Sequence, residues 1–162
     1  MQITFIQTGG TIDKDYPKTQ KGWAFEIDEP AVKRILELMQ PSFAYEIITA
    51  FRKDSLEITD EDRVILQEIC QKNKNDKIII THGTDTLLET AQFLAQNSKK
   101  TIILTGAMRP ERFSNSDAAF NLGMAIAGVQ TLAAGVYACM YGLILPYNLM
   151  TRDVEGRFVA KK

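Results

Sequence analysis

Three short runs of the sequence set threonine beside glycine in the way that small-ligand chemistry uses: Thr8-Gly9-Gly10-Thr11, Thr81-His82-Gly83-Thr84-Asp85 and Thr105-Gly106. Glycine lets backbone N–H groups approach a ligand closely, and a neighbouring hydroxyl is a compact donor and a latent nucleophile. Each hydroxyl and carboxylate here also has an ordinary structural use. Thr84 and Asp85 stand just ahead of a helical pattern, where both residue types are favoured as caps, and Asp117 has the same ambiguity. Thr11 has no helix after it to cap, so closing a tight turn and reacting with a ligand are equally good readings of it. Ser55, within Lys53-Asp54-Ser55-Leu56-Glu57-Ile58-Thr59, either lines the same crevice or belongs to a plain loop.

Other chemistries find less support. His82 is the only histidine, no G-x-S-x-G elbow is present, and a histidine at a strand end more often satisfies backbone groups than acts in a triad. A dinucleotide site needs G-x-G-x-x-G running into a helix, whereas Gly10 is followed by Thr11-Ile12-Asp13 and then Lys14-Asp15-Tyr16-Pro17. Cys70 and Cys139 have no neighbours at metal-ligand spacing and read as small core residues. Neither a cofactor nor a metal is expected.

The elements that must carry these runs are legible as a β-α-β alternation. Strand-like segments recur at residues 3–7, 45–49, 77–81, 101–105 and 135–140, with helical patterns between them. Ile78-Ile79-Ile80 and Ile102-Ile103-Leu104 are apolar at every position, as a parallel strand covered on both faces requires. The fold expected is therefore α/β: a doubly wound, flavodoxin-like or Rossmann-like, mostly parallel sheet with helices on both faces. Its ligand crevice lies at the carboxyl ends of the strands. Helix starts are expected after Asp28 with Pro30, at Thr59 ahead of Asp60, Glu61 and Asp62, at Thr86 with Glu89 as a capping box, and near Ser116 or Asp117. Val64, Ile65 and Ile69 are expected to face inward. Residues 14–24 read as an irregular loop carrying Tyr16, Gly22 and Trp23, long enough to fold over a site, and residues 151–162 as a loosely held tail.

With 162 residues, one domain spanning 1–162 is expected, and 19 Lys and Arg against 20 Asp and Glu leave no basic excess for nucleic acid or a membrane surface. Residues 118–151 carry no charge, but Gly123, Gly128, Gly135, Gly142 and Pro146 break them into a helix and strands rather than a membrane span. Covering that uncharged region suggests self-association into a homo-oligomer. The N-terminus lacks the basic start and long apolar run of a signal peptide, so a cytoplasmic address is expected.

These runs resemble the N-terminal domain of the bacterial-type L-asparaginases. The match is carried by Thr8-Gly9-Gly10-Thr11-Ile12, by Thr81-His82-Gly83-Thr84-Asp85-Thr86 with Glu89-Thr90-Ala91, by Gly106-Ala107-Met108-Arg109-Pro110, and by Ser116-Asp117 with Asn121-Leu122. The resemblance implies hydrolysis of an amino-acid side-chain amide, asparagine or a related small amide, to the acid and ammonia. It implies Thr11 as nucleophile, Thr84 in proton handling, Asp85 on the substrate's α-amino group, Ser55 on its α-carboxylate, and Gly10 and Gly83 lining the substrate. Three departures stand out. Arg152 or Gly156 falls where the family carries a lysine, with Lys14 and Lys161 as conceivable substitutes. Phe25 takes the place nearest the family's lid tyrosine, and the family's C-terminal domain is absent. A guanidinium cannot accept the proton that a neutral lysine would. A non-catalytic amino-acid-binding domain, or a subunit completed by a separately encoded partner, are the competing readings.

Overall fold

The computed structural model describes residues 1–20, 22–96 and 98–162. The chain runs β1 (Gln2–Gly9), β2 (Lys14–Asp15), β3 (Lys18–Thr19), β4 (Gly22–Trp23), β5 (Glu26–Ile27), α1 (Ala31–Met39), β6 (Ala44–Lys53), α2 (Asp60–Lys72), β7 (Lys77–Thr81) and α3 (Leu87–Ala95). It continues through β8 (Thr101–Thr105), α4 (Ala118–Thr131), β9 (Gly135–Met140), β10 (Leu143–Pro146), β11 (Met150–Arg152) and β12 (Phe158–Ala160). The central sheet has six strands in the order β10-β9-β8-β7-β1-β6. Every neighbouring pair is parallel except β9 with β10. Because β1 lies between β6 and β7, the winding reverses there, and the sheet is doubly wound as its all-apolar strands require.

Alternation along those strands feeds two cores. Ile79 and Ile103 turn to one face, against Val32 and Leu36 of α1 and Leu122 and Val129 of α4. Ile78, Ile80, Ile102 and Leu104 turn to the other, against Leu66 and Cys70 of α2 and Leu87 and Leu94 of α3. Each fully buried side chain of this size contributes about 2 kcal/mol relative to exposure. The cysteine thiols lie inside these cores, and burial pushes each up to about 12, which keeps them protonated and unreactive. Among the described residues no helix is long and apolar enough to cross a membrane.

Several local expectations are corrected by packing. Val64 and Ile65 are 45% and 49% exposed, because the sheet takes the stripe Asp62, Arg63, Leu66 and Cys70 instead. α2 starts after Thr59 as expected, with a Thr59–Asp62 capping box, but Thr86 makes no side-chain cap on α3; its hydroxyl donates to the Ser55 carbonyl at 2.7 Å. Asp28 does not cap α1 either. The first N–H of that helix, on Ala31, donates to the Asp13 carboxylate at 2.8 Å, from 18 residues away. Of the segment expected to be irregular, residue 21 lies outside the described residues, and the rest carries short pairings: β2 pairs antiparallel with β5, and β3 with β4, with Tyr16 stacked on Trp23 at 6.2 Å. The tail is not loose. β11 and β12 form a hairpin whose Met150 and Phe158 are 1% exposed in the second core.

Candidate functional site

The site is built where β1 and β7 separate. Gly10 has φ 82° and ψ −175°, a combination open essentially to glycine alone. A Cβ there would lie 2.3 Å from the Cα of Gly83, and one on Gly83 would lie 2.6 Å from the Cβ of Ser55. The turns after β1 and β7 thus touch backbone to backbone, the Ser55 side chain packs on Gly83 from the turn after β6, and only missing side chains permit it. Gly10→Ala is expected to lower the free energy of unfolding by about 3 kcal/mol through strain and overpacking. Chemical denaturation checks this, and a loss under about 1 kcal/mol would show that the two turns can part.

Two of the three threonines that end the strands are spent on structure, while the buried Thr81 hydroxyl has no hydrogen-bond partner among the described residues. Thr8 donates to the Thr81 carbonyl and Thr105 to the Cys139 carbonyl, both at 2.8 Å, and Thr8, Thr81 and Thr105 are fully buried. Two further hydroxyls lie in the turns that follow. Thr11 opens a single 3-10 turn, Thr11–Asp13, immediately after Gly10, and is half-buried. Thr84 directly follows Gly83 and is 9% exposed. Among the described residues neither hydroxyl has a hydrogen-bond partner, so the turn-closing reading of Thr11 and the capping reading of Thr84 are not realised. Contact between Gly10 and Gly83 brings together the two turns that carry these threonines. Their backbone N–H groups are likewise free of acceptors among the described residues.

Ser55 and Asp85 meet beside the same turn. Ser55 is 2% exposed at the start of a 3-10 turn, Ser55–Glu57, which Asp54 caps. Its hydroxyl oxygen accepts the Asp85 N–H at 3.3 Å and its carbonyl accepts the Thr86 hydroxyl, so it fixes the turn that presents Thr84. The Asp85 side chain does not cap α3. It pairs with the Arg152 guanidinium, Nη1 to Oδ1 at 3.1 Å. Arg152 also donates through Nε to the Gly156 carbonyl at 3.0 Å and lies 5.4 Å over the Phe158 ring. The two alignments that put Arg152 or Gly156 in the place of a lysine therefore fall on one hairpin, and Arg152 is the residue that reaches Asp85. Lys14 pairs with Asp54 at 3.3 Å, next to Ser55, while Lys161 ends beyond β12 and is exposed.

Two buried titratable groups belong to these turns. His82 is fully buried; its Nδ1 meets the Gly83 carbonyl at 2.7 Å, so that nitrogen carries the proton and donates. Burial pushes the imidazole down to about 4, which keeps it neutral and structural. Asp13, which the motifs did not single out, is fully buried beneath the Thr11 turn. One carboxylate oxygen caps α1, its carbonyl accepts the Asp28 N–H, and its other side-chain oxygen has no partner. Burial pushes its carboxyl up to about 7, with the Ala31 N–H and the charges of Arg34 and Arg52 pulling the other way. Asp117 serves a neighbouring loop, accepting the N–H groups of Met108 and Arg109 and the Asn121 amide.

Comparison with known proteins fits this geometry. The family model for the asparaginase N-terminal domain matches residues 2–152. The chain is 34% identical over 151 residues to a glutamyl-tRNA(Gln) amidotransferase subunit of Pyrococcus furiosus, across 86% of this chain and 33% of that protein. The thermostable L-asparaginase from Thermococcus kodakarensis superposes with a TM-score of 0.84 and 27% identity, over 99% of this chain and 51% of that one. A probable cytoplasmic L-asparaginase from Campylobacter jejuni superposes with a TM-score of 0.79 and 28% identity, over 98% and 52%. The chain thus spans between 33% and 52% of the length of these relatives.

Proposed function

Because the chain belongs to the asparaginase family, through the family's N-terminal domain, we propose that it hydrolyses the side-chain amide of asparagine or a related small amide to the acid and ammonia. The observation that supports the reading is the pair of unbonded threonine hydroxyls, Thr11 and Thr84, each next to one of two glycines whose turns touch at the point where the winding reverses. Thr11 Oγ1 attacks the amide carbonyl carbon. The proton it loses passes by way of the Thr84 hydroxyl to the departing nitrogen, which leaves as ammonia. Water then cleaves the acyl-threonine ester, releases the acid and restores the hydroxyl. The free N–H groups of Thr11 and Thr84 are the donors that meet the tetrahedral oxyanion. Gly10 and Gly83 leave the room, while Ser55 and Asp85 shape the end that grips the ligand. Neither cofactor nor metal enters these steps.

A second reading has a specific observation in its favour. Arg152 occupies Asp85, and a guanidinium cannot serve as proton acceptor, which suits an amino-acid-binding domain without turnover. Since the chain spans about half of the asparaginase chains it matches, a second copy or a separately encoded subunit could complete the site. The cytoplasm is the address proposed for it. Ammonia release from L-asparagine, L-glutamine and D-asparagine tests the reading, with the matching acid expected in equal amount. Binding of aspartate with no ammonia from any amide would favour the second reading, and neither binding nor turnover would sink both.

A further inference from the structure

We infer that Asp13 is a positioning residue of the Thr11 turn and that its carboxyl works as a proton-operated catch. When the proton leaves, Asp13 Oδ2 takes the unused Nη2 donor of Arg34 and clamps the turn to α1. The inference rests on the amide-hydrolase reading for what Thr11 does, but not for whether the turn responds to pH. Asp13 is the joint of this corner. Its N–H donates to the Gly10 carbonyl at 3.2 Å, closing the turn that carries Thr11, and its carbonyl accepts the Asp28 N–H at 3.0 Å, just beyond β5. Its Oδ1 holds the start of α1 at Ala31. What is left over is complementary. Among the described residues Asp13 Oδ2 has no donor and Arg34 Nη2 has no acceptor, and both atoms are shut off from solvent. The rest of the Arg34 guanidinium is fixed, with Nε donating to Glu111 Oε2 at 2.6 Å and Nη1 to the Glu29 carbonyl at 3.4 Å. Glu111 in turn donates its N–H to the Ile12 carbonyl at 3.1 Å. A guanidinium that keeps Glu111 on Nε and takes Asp13 on Nη2 ties Asp13 and, through Glu111, Ile12 to α1 by one planar fork.

A neutral carboxyl has little call on that nitrogen, whereas an ionised one buried without a donor is too costly to persist. Burial places the change at about 7. The other charges around the group already have partners. Arg52 of β6 faces Asp28 at 3.9 Å, Glu29 pairs with Lys33 and Lys14 with Asp54, each at 3.3 Å, and Asp15 pairs with Arg112 at 2.7 Å. From β1 the group meets the uncharged Gln7. Arg34 is therefore the cation with a buried donor to give. The clamp offsets only part of the burial cost, so the turn tightens locally even as the contribution of Asp13 to global stability falls with pH.

Backbone amide NMR of the 162-residue chain from about pH 5 to about pH 9 tests this without reading ammonia. His82, the only histidine, is already neutral above about 4 and does not enter the window. The Gly10, Thr11 and Ile12 signals are expected to move together with a midpoint at about 7. Across it, protection of the Asp13 N–H from hydrogen exchange, corrected for the pH dependence of the chemical rate, should rise by at least about fivefold. Asp13→Asn, which keeps an acceptor for Ala31, should remove both changes. Arg34→Lys, which keeps the charge but not the fork, should keep the signal movement and lose the gain in protection. If the chain releases ammonia, kcat should rise through the same inflection while KM does not, and Asp13→Asn should abolish it. If it releases none, the amide signals decide alone, so a failed hydrolytic reading and a failed catch remain distinct results. Thr11 signals that stay still across the window, an inflection that survives Asp13→Asn, or equal protection gained by Arg34→Lys would each overturn the inference. Should Asp13→Asn not fold, the unaltered chain and Arg34→Lys still decide.

Discussion

Alanine at position 11 is expected to lower kcat/KM for a small side-chain amide by at least about 10³-fold, equivalent to about 4 kcal/mol of transition-state stabilisation. The hydroxyl has no hydrogen bond to any described residue and the side chain is only half-buried, so its removal breaks nothing in the fold. The loss should therefore sit in turnover, with the melting temperature and the affinity for the product acid within a few-fold of the unaltered chain. Thr11→Ser, which keeps the oxygen, should recover part of the rate. Turnover within about tenfold of the unaltered protein in Thr11→Ala would remove this residue as nucleophile.

The second large effect concerns Asp13. In the unfolded chain its carboxyl ionises near 3.8, while in the fold burial keeps the proton on until about 7. Across that window the unfolded chain has released a proton that the native state retains. The contribution of Asp13 is thus fully present below 3.8, declines as pH rises, and is exhausted above about 7. At about 1.4 kcal/mol per pH unit the change amounts to roughly 4 kcal/mol. Other carboxylates, such as Asp15 and Asp54, are held low and act in the opposite sense, so the difference between two proteins is the informative quantity. Asp13→Asn cannot ionise, and its amide oxygen can still accept the Ala31 N–H. Its stability relative to the unaltered chain should rise by about 4 kcal/mol between pH 4 and pH 8, as read by urea unfolding at each pH. A difference that stays flat would mean that the carboxyl ionises freely in the fold.

How much of this was legible in the sequence follows from the range of each interaction. Ile78-Ile79-Ile80 and Ile102-Ile103-Leu104 announced a sheet covered on both faces, because a strand's two faces are written in consecutive residues. The start of α2 at Thr59 was readable because the cap and the acidic first turn are neighbours in sequence. Thr86 and Glu89 carry the spacing of a capping box, yet Ser55 takes the Thr86 hydroxyl from 31 positions away. Val64 and Ile65 misled for a related reason. Helical periodicity shows that an apolar stripe exists, but where two stripes compete, the neighbouring sheet chooses between them.

By itself, then, the sequence determined the layering of the fold, the places where glycine must stand, and the hydroxyls from which a site could be drawn. The tertiary structure decided which hydroxyls are free, consuming Thr8 and Thr105 in cross-strand bonds and leaving Thr11 and Thr84 unbonded. It also decided that Asp13 caps α1 and that Arg152 reaches Asp85 across 67 positions. The physical reason is that propensity, periodicity and capping act over a few residues, whereas these contacts follow from strand order. Strand order is fixed by the packing of whole elements around a winding reversal, which no local pattern spells out.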